Sequence, residues 1–354
     1  MFEDRLTRLK NLLDEKNCSA VIVTKIPNLR YFSGFKGDDS ILIITRNEKI
    51  LVTDFRYIEQ AKMQTEFEIR RQDKGIWSKV FEILKSLGLE KKFIAFEGKN
   101  LVVDDYSRLM KNLPDAKFES ISLDLLRQVK DDSEVALIQK ACDIADHAFE
   151  QVLDFIRPGV SENEIAARLE NFMRIDGSSK PSFQTIVASG KRSSLPHGVA
   201  SEKLIERGDF VTMDFGATFD GYCSDITRTV VVGKADDRQK EIYNLVLNAQ
   251  KSVLEKIRPG VSGKIPDAYV RNMFGDFEKY FGHGLGHGVG LEIHEEPRLS
   301  KFSRCESLQK NMIVTDEPGI YIENFGGVRI EDTTIIRENS AEPLTHSKKD
   351  LIEI

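Results

Sequence analysis

Phe2, Leu6, Leu9 and Leu13 fall on one helical face, so the pattern predicts an amphipathic helix at the start of the chain. AVIVT (20–24), ILIIT (41–45) and KILVT (49–53) predict strands, the last two joined by a tight polar turn at RNE. Helical periodicity around 54–64, a strand near 67–70, a helix over 76–87, a strand at FIAFEG (93–98) and a helix over 103–113 complete an α/β unit. That unit is large enough for its own core. After the mixed segment PDAKFESISLDLLRQVKDD (114–132), a long helix is expected over roughly 132–156, with acidic residues in its first turn as the helix dipole favours. The boundary is placed near 123, giving domains 1–123 and 124–354.

RPGVS occurs at 157–161 and again at 258–262, each time after an amphipathic helix (HAFEQVLDFI, NAQKSVLEKI). Pro and Gly commonly follow helices, so the match has a local explanation. The matching helix before each copy favours a duplication. Two similar halves would place a site on the seam between them.

The chain has 354 residues, 40% hydrophobic and 31% charged, with net charge −6 and no long basic run, so neither nucleic acid nor an anionic membrane is expected as partner. No apolar window is long enough to span a membrane, and MFEDRLTRLKNLL lacks the apolar core of a signal peptide. Cys18, Cys142, Cys223 and Cys305 are scattered and form no CxxC, which suits reduced thiols in the cytoplasm.

Candidate chemistry lies in the second part. FVTMDFGATFDGYCSDITRTVVVG (210–233) predicts a hairpin closed by Asp220-Gly221. Phe219 then faces Tyr222 and Gly216 faces Asp225. Asp214 and Asp225 become diagonal neighbours on one face, with open space beside Gly216. Taken alone, the two aspartates are read first as exposed residues on a polar sheet face. Glu317 ends the apolar run of NMIVTDEPGIYI (311–322), and Glu331 interrupts that of GGVRIEDTTII (326–336). Acidic residues are depleted in apolar strands, and a buried carboxylate needs a partner. Arg329 could supply one as a salt bridge to Glu331. Four carboxylates meeting in one pocket would instead need cations, and two divalent ions would balance them. GHGLGHGVGLEIHEEP (282–297) holds three of the six histidines. His294-Glu295 lacks the second histidine of a metallopeptidase helix, since position 298 is Arg298, and Val289 breaks a dinucleotide fingerprint.

The order MDFGATFDGYCSDITRT, GHGLGHGVGLEIHEEP, DEPGIY, GVRIED resembles the pita-bread metallopeptidases of the Xaa-Pro aminopeptidase and prolidase branch, over most of 124–354. PNLRYFSGFKGDDSILII and LVTDFRYIEQA, within 27–61, resemble that branch's creatinase-type N-terminal domain. The resemblance implies an α+β pita-bread catalytic domain with pseudo-two-fold halves, preceded by a smaller α/β domain. It implies metal ligands at Asp214, Asp225, His287, Glu317 and Glu331, and substrate-site roles for His197, His283, His294 and Arg298. Arg329 would orient the carboxylates. Two divalent ions per subunit would bridge a hydroxide that attacks the bond before proline, with Glu317 moving the proton and His294 steadying the oxyanion. Manganese is expected first, with cobalt or zinc as alternatives. The expected activity is an Xaa-Pro aminopeptidase acting on peptides with proline at the second position. The alternatives are an Xaa-Pro dipeptidase and, more remotely, a creatinase-like hydrolase or inactive binding module. A homodimer is expected by the same resemblance. His147 and His346 match nothing, and the glycines among the histidines would let backbone approach the metal site.

Overall fold

In the computed structural model, which describes residues 2–354, the chain forms two units that divide between Arg127 and Gln128. The first is built on a six-stranded mixed sheet in the order Glu68–Arg71, Lys49–Thr53, Ser40–Thr45, Ala20–Val23, Phe93–Phe96, Lys117–Ser120. Ala20–Val23 is buried along its whole length, which is why it reads as an unbroken apolar run. Ser40–Thr45 and Lys49–Thr53 form the expected hairpin, pairing Ile44 with Lys49. Two elements escape the apolar pattern. Helix Ile26–Ser33 starts with Pro27 in its first turn and stops at Gly34 with φ 76°, so it looks like turn sequence. Lys117–Ser120 is a polar edge strand, with only Phe118 to mark it.

In the second unit, helix Asp132–Val152 packs on Glu162–Ile175, and Asp237–Val253 packs on Lys264–Phe274. Asp131 with Glu134, Ser161 with Glu164 and Asp236 with Gln239 close capping boxes that fix where three of these helices begin. The first helix pair shares a core with the three-stranded sheet Ile226–Val231, Phe210–Phe215, Ile186–Ser189. The second lies against a larger core that includes Val314, Ile320, Val328 and Ile336. A five-stranded sheet orders Glu295–Leu299, Gly286–Gly288, Ile313–Asp316, Asp332–Ile336 and Ala341–Pro343. An isolated bridge between Thr227 and Glu331 stitches the two sheets together.

The repeated RPGVS has a repeated structural role. Gly159 N–H donates to Ile205 O, and Ile205 N–H to Val160 O; Gly260 N–H donates to Leu308 O, and Leu308 N–H to Val261 O. Each copy therefore holds a returning chain by the same pair of backbone bonds, which is the behaviour of a duplicated unit rather than of shared helix-ending chemistry. Among the described residues, no helix is long and apolar enough to cross a membrane.

The hairpin keeps the register that its two-residue loop dictates. Tyr222 pairs with Phe219, and Thr227 with Asp214. Asp220 and Gly221 have φ of 43° and 75°, the left-handed pair a type I′ turn requires. The expectation for Gly216 needs correction. Its missing side chain does not open space between carboxylates, because a Cβ there would lie 1.9 Å from the Ser224 carbonyl oxygen. Glycine is needed so that the two strands can approach where the hairpin splits. Gly216→Ala should therefore lower stability by about 2 kcal/mol, read as a shifted urea midpoint. An unchanged midpoint would contradict the close approach.

Candidate metal centre

Each half of the second unit delivers part of one charged cluster. Asp214 comes from strand Phe210–Phe215, and Asp225 stands immediately before Ile226–Val231. His287 lies on Gly286–Gly288, Glu317 follows Ile313–Asp316, and Glu331 sits between Gly326–Arg329 and Asp332–Ile336. All five line a cavity of about 590 Å³, together with His197, His283, His294, Arg298 and Arg329. Within it, Asp225, His287 and Glu331 each offer a ligand atom within 4.8 Å of the others. His287 Nε2 lies 3.5 Å from Asp225 Oδ2 and 3.4 Å from Glu317 Oε1.

The backbone fixes which nitrogen of His287 faces this cluster. Nδ1 is 3.1 Å from the Gly288 carbonyl oxygen, an acceptor only, so Nδ1 carries the proton and Nε2 presents its lone pair to the carboxylates. Burial, reinforced by nearby His294, holds the ring's pKa down at about 3, so it is neutral and able to bind a metal.

The carboxylates are in the opposite condition. Burial, then the charges of Glu331, Asp214 and Glu317, pushes Asp225 well above the usual carboxylate range. Burial, then Glu317 and Asp214, does the same to Glu331. Burial, with Asp214 adding to it against the pull of Arg329, raises Glu317 to about 8. One arginine does not neutralise this group. Asp214 Oδ1 and Asp225 Oδ1 are also buried without any hydrogen-bond partner. Carboxylate oxygens without partners beside a neutral imidazole make a donor set that a divalent cation would satisfy, so the residues fit divalent metal.

Comparison with known proteins agrees. A model of metallopeptidase family M24 matches residues 136–338, and one of the creatinase/prolidase N-terminal domain matches 5–129. The chain belongs to metallopeptidase family M24. Its catalytic domain has the pita-bread fold and follows a creatinase-type N-terminal domain. An Xaa-Pro dipeptidase structure from Bacillus anthracis is 45% identical, with TM-score 0.96 over all of both chains. An X-Pro aminopeptidase structure from Thermotoga maritima is 39% identical, with TM-score 0.91 over 99% of this chain and 100% of that one. An Xaa-Pro dipeptidase of Pyrococcus horikoshii is 39% identical, covering 99% of each protein.

Around the M24 cluster, Arg329 acts as the hub, though not through the bond its spacing suggests. It does not pair with Glu331 directly. Nη2 donates to Asp214 Oδ2 at 2.6 Å, Nε to Thr227 Oγ1 at 3.0 Å, and the Thr227 hydroxyl donates on to Glu331 Oε2. Arg329 Nη1 donates to Tyr321 Oη at 2.7 Å, and that hydroxyl lies 2.8 Å from His283 Nε2. Thr315 accepts from the His287 N–H and donates to Glu317 Oε1, while Thr333 clamps the backbone of Asp225 from both sides. Sequence reasoning missed Tyr321, Thr227, Thr315 and Thr333. Threonine and tyrosine are ordinary strand residues, so only their cross-strand position distinguishes them.

The remaining candidates lie at the wall. His294 is exposed and packs edge-on to His287, with centroids 4.3 Å apart. His197 and Arg298 are exposed on the cavity, and His283 is half-buried. His147 pairs with Asp176, and His346 is exposed; neither lines the cavity. The glycines among the histidines serve strand packing more than approach to metal: a Cβ on Gly286 would meet Thr315 O at 2.0 Å.

Glu317 gives a pH prediction for metal-free protein. Its folded value of about 8 exceeds the ordinary 4.5, so its contribution to stability is full below 4.5 and is lost as pH rises through 8. Urea midpoints of chelator-stripped protein should fall across that window, and fall less in Glu317→Gln. Parallel pH curves for the two proteins would refute the assignment.

Proposed function

We propose that this M24 peptidase is a divalent-metal-dependent Xaa-Pro dipeptidase, hydrolysing the bond that precedes a C-terminal proline. The reading rests on one observation, the convergence of Asp214, Asp225, His287, Glu317 and Glu331 on a single cavity that also holds Arg298. Four carboxylates and one imidazole suit manganese best, with cobalt or zinc as alternatives. Bound ions would balance the carboxylates, polarise the scissile carbonyl and make water nucleophilic near neutral pH.

The chain's own groups supply the rest. Thr315 engages Glu317 Oε1, leaving Oε2 to accept a proton and return it to the departing proline nitrogen. His294 would polarise the carbonyl, a role its contact with His287 supports, and His197 and His283 of the cavity wall would flank the proline side. An Xaa-Pro amide carries no N–H, so a site that asks for none accepts it. Arg298 favours the dipeptidase over the aminopeptidase that the sequence put first. It is exposed on the cavity, and its charge reaches both Glu317 and His287. A cation so placed suits the free carboxylate of a C-terminal proline, whereas a longer peptide presents a neutral amide there. Relatives named dipeptidase or prolidase support the same order. The aminopeptidase remains the second reading, supported by the likeness to the Thermotoga maritima structure. Four free cysteines support a cytoplasmic location, and a homodimer completes the proposal.

The deciding assay compares an Xaa-Pro dipeptide with the matching Xaa-Pro-Yaa tripeptide. We expect the dipeptide to be preferred and Arg298→Ala to erase that preference; faster tripeptide cleavage would establish the aminopeptidase. Chelation should abolish turnover and Mn²⁺ restore it. His287→Ala and Glu317→Gln should each lower kcat at least about a hundredfold with the fold intact, and near-normal rates would mean these residues are misassigned.

A further inference from the structure

Glu162 is a charged group that the mechanism does not use. It is fully buried, opens helix Glu162–Ile175, and directly follows the first RPGVS. An acidic residue in a helix's first turn needs no burial to benefit from the dipole. Burying one is costly unless its oxygens are well satisfied.

All the side-chain bonds of Glu162 go to one segment, Ser189 to Ser201. Oε1 accepts from the Ser189 N–H at 2.7 Å and the Ser189 hydroxyl at 2.9 Å. Oε2 accepts from the Ser201 N–H at 3.1 Å and the Ser201 hydroxyl at 2.6 Å. Arg192 Nε lies 3.3 and 3.0 Å from the two oxygens, and its Nη2 donates to the Val199 carbonyl at 2.7 Å. One carboxylate thus ties both ends of the segment and, through Arg192, its middle. Between the ties lie Pro196, His197 and Val199 of the cavity wall. From the opposite side, Arg329 Nη1 donates to the Pro196 carbonyl at 3.4 Å and Gly327 N–H to Ser193 Oγ at 2.8 Å.

The second repeat gives a comparison within the chain. There the residue after RPGVS is Gly263, whose N–H donates to Cys305 O and on which a Cβ would meet Arg298 O at 2.5 Å. Both repeats place the start of their second helix beneath a segment of the cavity wall. The second does so by direct backbone contact, the first by a charged tether.

We propose that Glu162 is a positioning residue for the substrate wall: it fixes the Ser189–Ser201 segment, hence His197, and so sets peptide affinity rather than metal occupancy. The proposal rests on the Xaa-Pro reading for its substrate and on the hydrogen bonds for its mechanism. Glu162→Gln, assayed in the full-length Mn²⁺-loaded protein with an Xaa-Pro dipeptide, should raise KM on the order of tenfold, as loss of hydrogen bonds to a charged acceptor would. Turnover at saturation and the calorimetric Mn²⁺ affinity should stay within about twofold of wild type. In a His197→Ala background the same substitution should change KM little, because the effect passes through that ring. Ser201→Ala, which removes one donor and leaves the carboxylate, should shift KM the same way by less, and it carries the test if Glu162→Gln does not fold. Unchanged KM in both variants, a full KM effect that persists without His197, or a matching loss of Mn²⁺ affinity would overturn the proposal. Wild-type protein inactive on every Xaa-Pro peptide would overturn the substrate reading instead; faster amide exchange across 189–201 in Glu162→Gln would then still support the tether, and unchanged exchange would refute it.

Discussion

Mutual repulsion among carboxylates crowded into one cavity is the constraint around which the second unit is arranged. Asp214, Asp225, Glu317 and Glu331 are brought into one cavity with Arg329 as the guanidinium that bonds into the cluster. Left alone, such a group would take up protons or move apart. Without cations it does hold protons, since Asp225, Glu317 and Glu331 lie above the usual carboxylate range, but it does not move apart, because strands hold the carboxylates from behind. Thr333 clamps the Asp225 backbone, Thr227 reaches Glu331, and the Thr227–Glu331 bridge joins the sheets that carry them. Rigid strands thus store electrostatic strain that bound cations relieve, the usual logic of a preorganised metal site.

Much of this was legible because charge is conspicuous where it does not belong. Glu317 and Glu331 stand out against apolar runs of sequence, though the fold sets them at strand ends rather than within strands, and Asp220-Gly221 fixes a register that puts Asp214 opposite Thr227. The choice of His287 among three histidines was not legible from spacing and came from resemblance. The physical reason is visible only in the fold, where Nδ1 is committed to the Gly288 carbonyl and Nε2 is left facing Asp225 and Glu317. Hydroxyl partners stayed hidden because a threonine on a strand carries no signal of what lies across the sheet. The glycines were visible but misread, since Gly216 and Gly286 answer to a neighbouring strand's carbonyls.

The duplication explains why the cluster lies on a seam. Each half repeats a helix pair, and each RPGVS pins a returning chain through equivalent backbone bonds. The halves are nonetheless unequal in chemistry: the first contributes two aspartates from one hairpin, the second a histidine and two glutamates from three places. Neither half alone gathers the full donor set, so the site belongs to the joint.

Ligands and wall are held by different means, and this bears on how one fold serves two related activities. The five cluster residues stand on or beside paired strands, and Arg298 shares that footing, paired with His287 across the sheet, whereas His197 and Phe302 lie on irregular segments near the helix starts. A change in such a segment reshapes what the cavity grips without disturbing the carboxylates, because the hydrogen bonds that fix the segment and those that fix the ligands meet mainly at Arg329. Structures close to this one carry both dipeptidase and aminopeptidase names. Likeness that close is expected where the charge cluster is fixed by the sheets and substrate length is decided by a few side chains at the rim. The irregular segments that carry Phe302 and the tethered His197 are therefore the parts of the cavity wall free to vary while the charge cluster stays fixed.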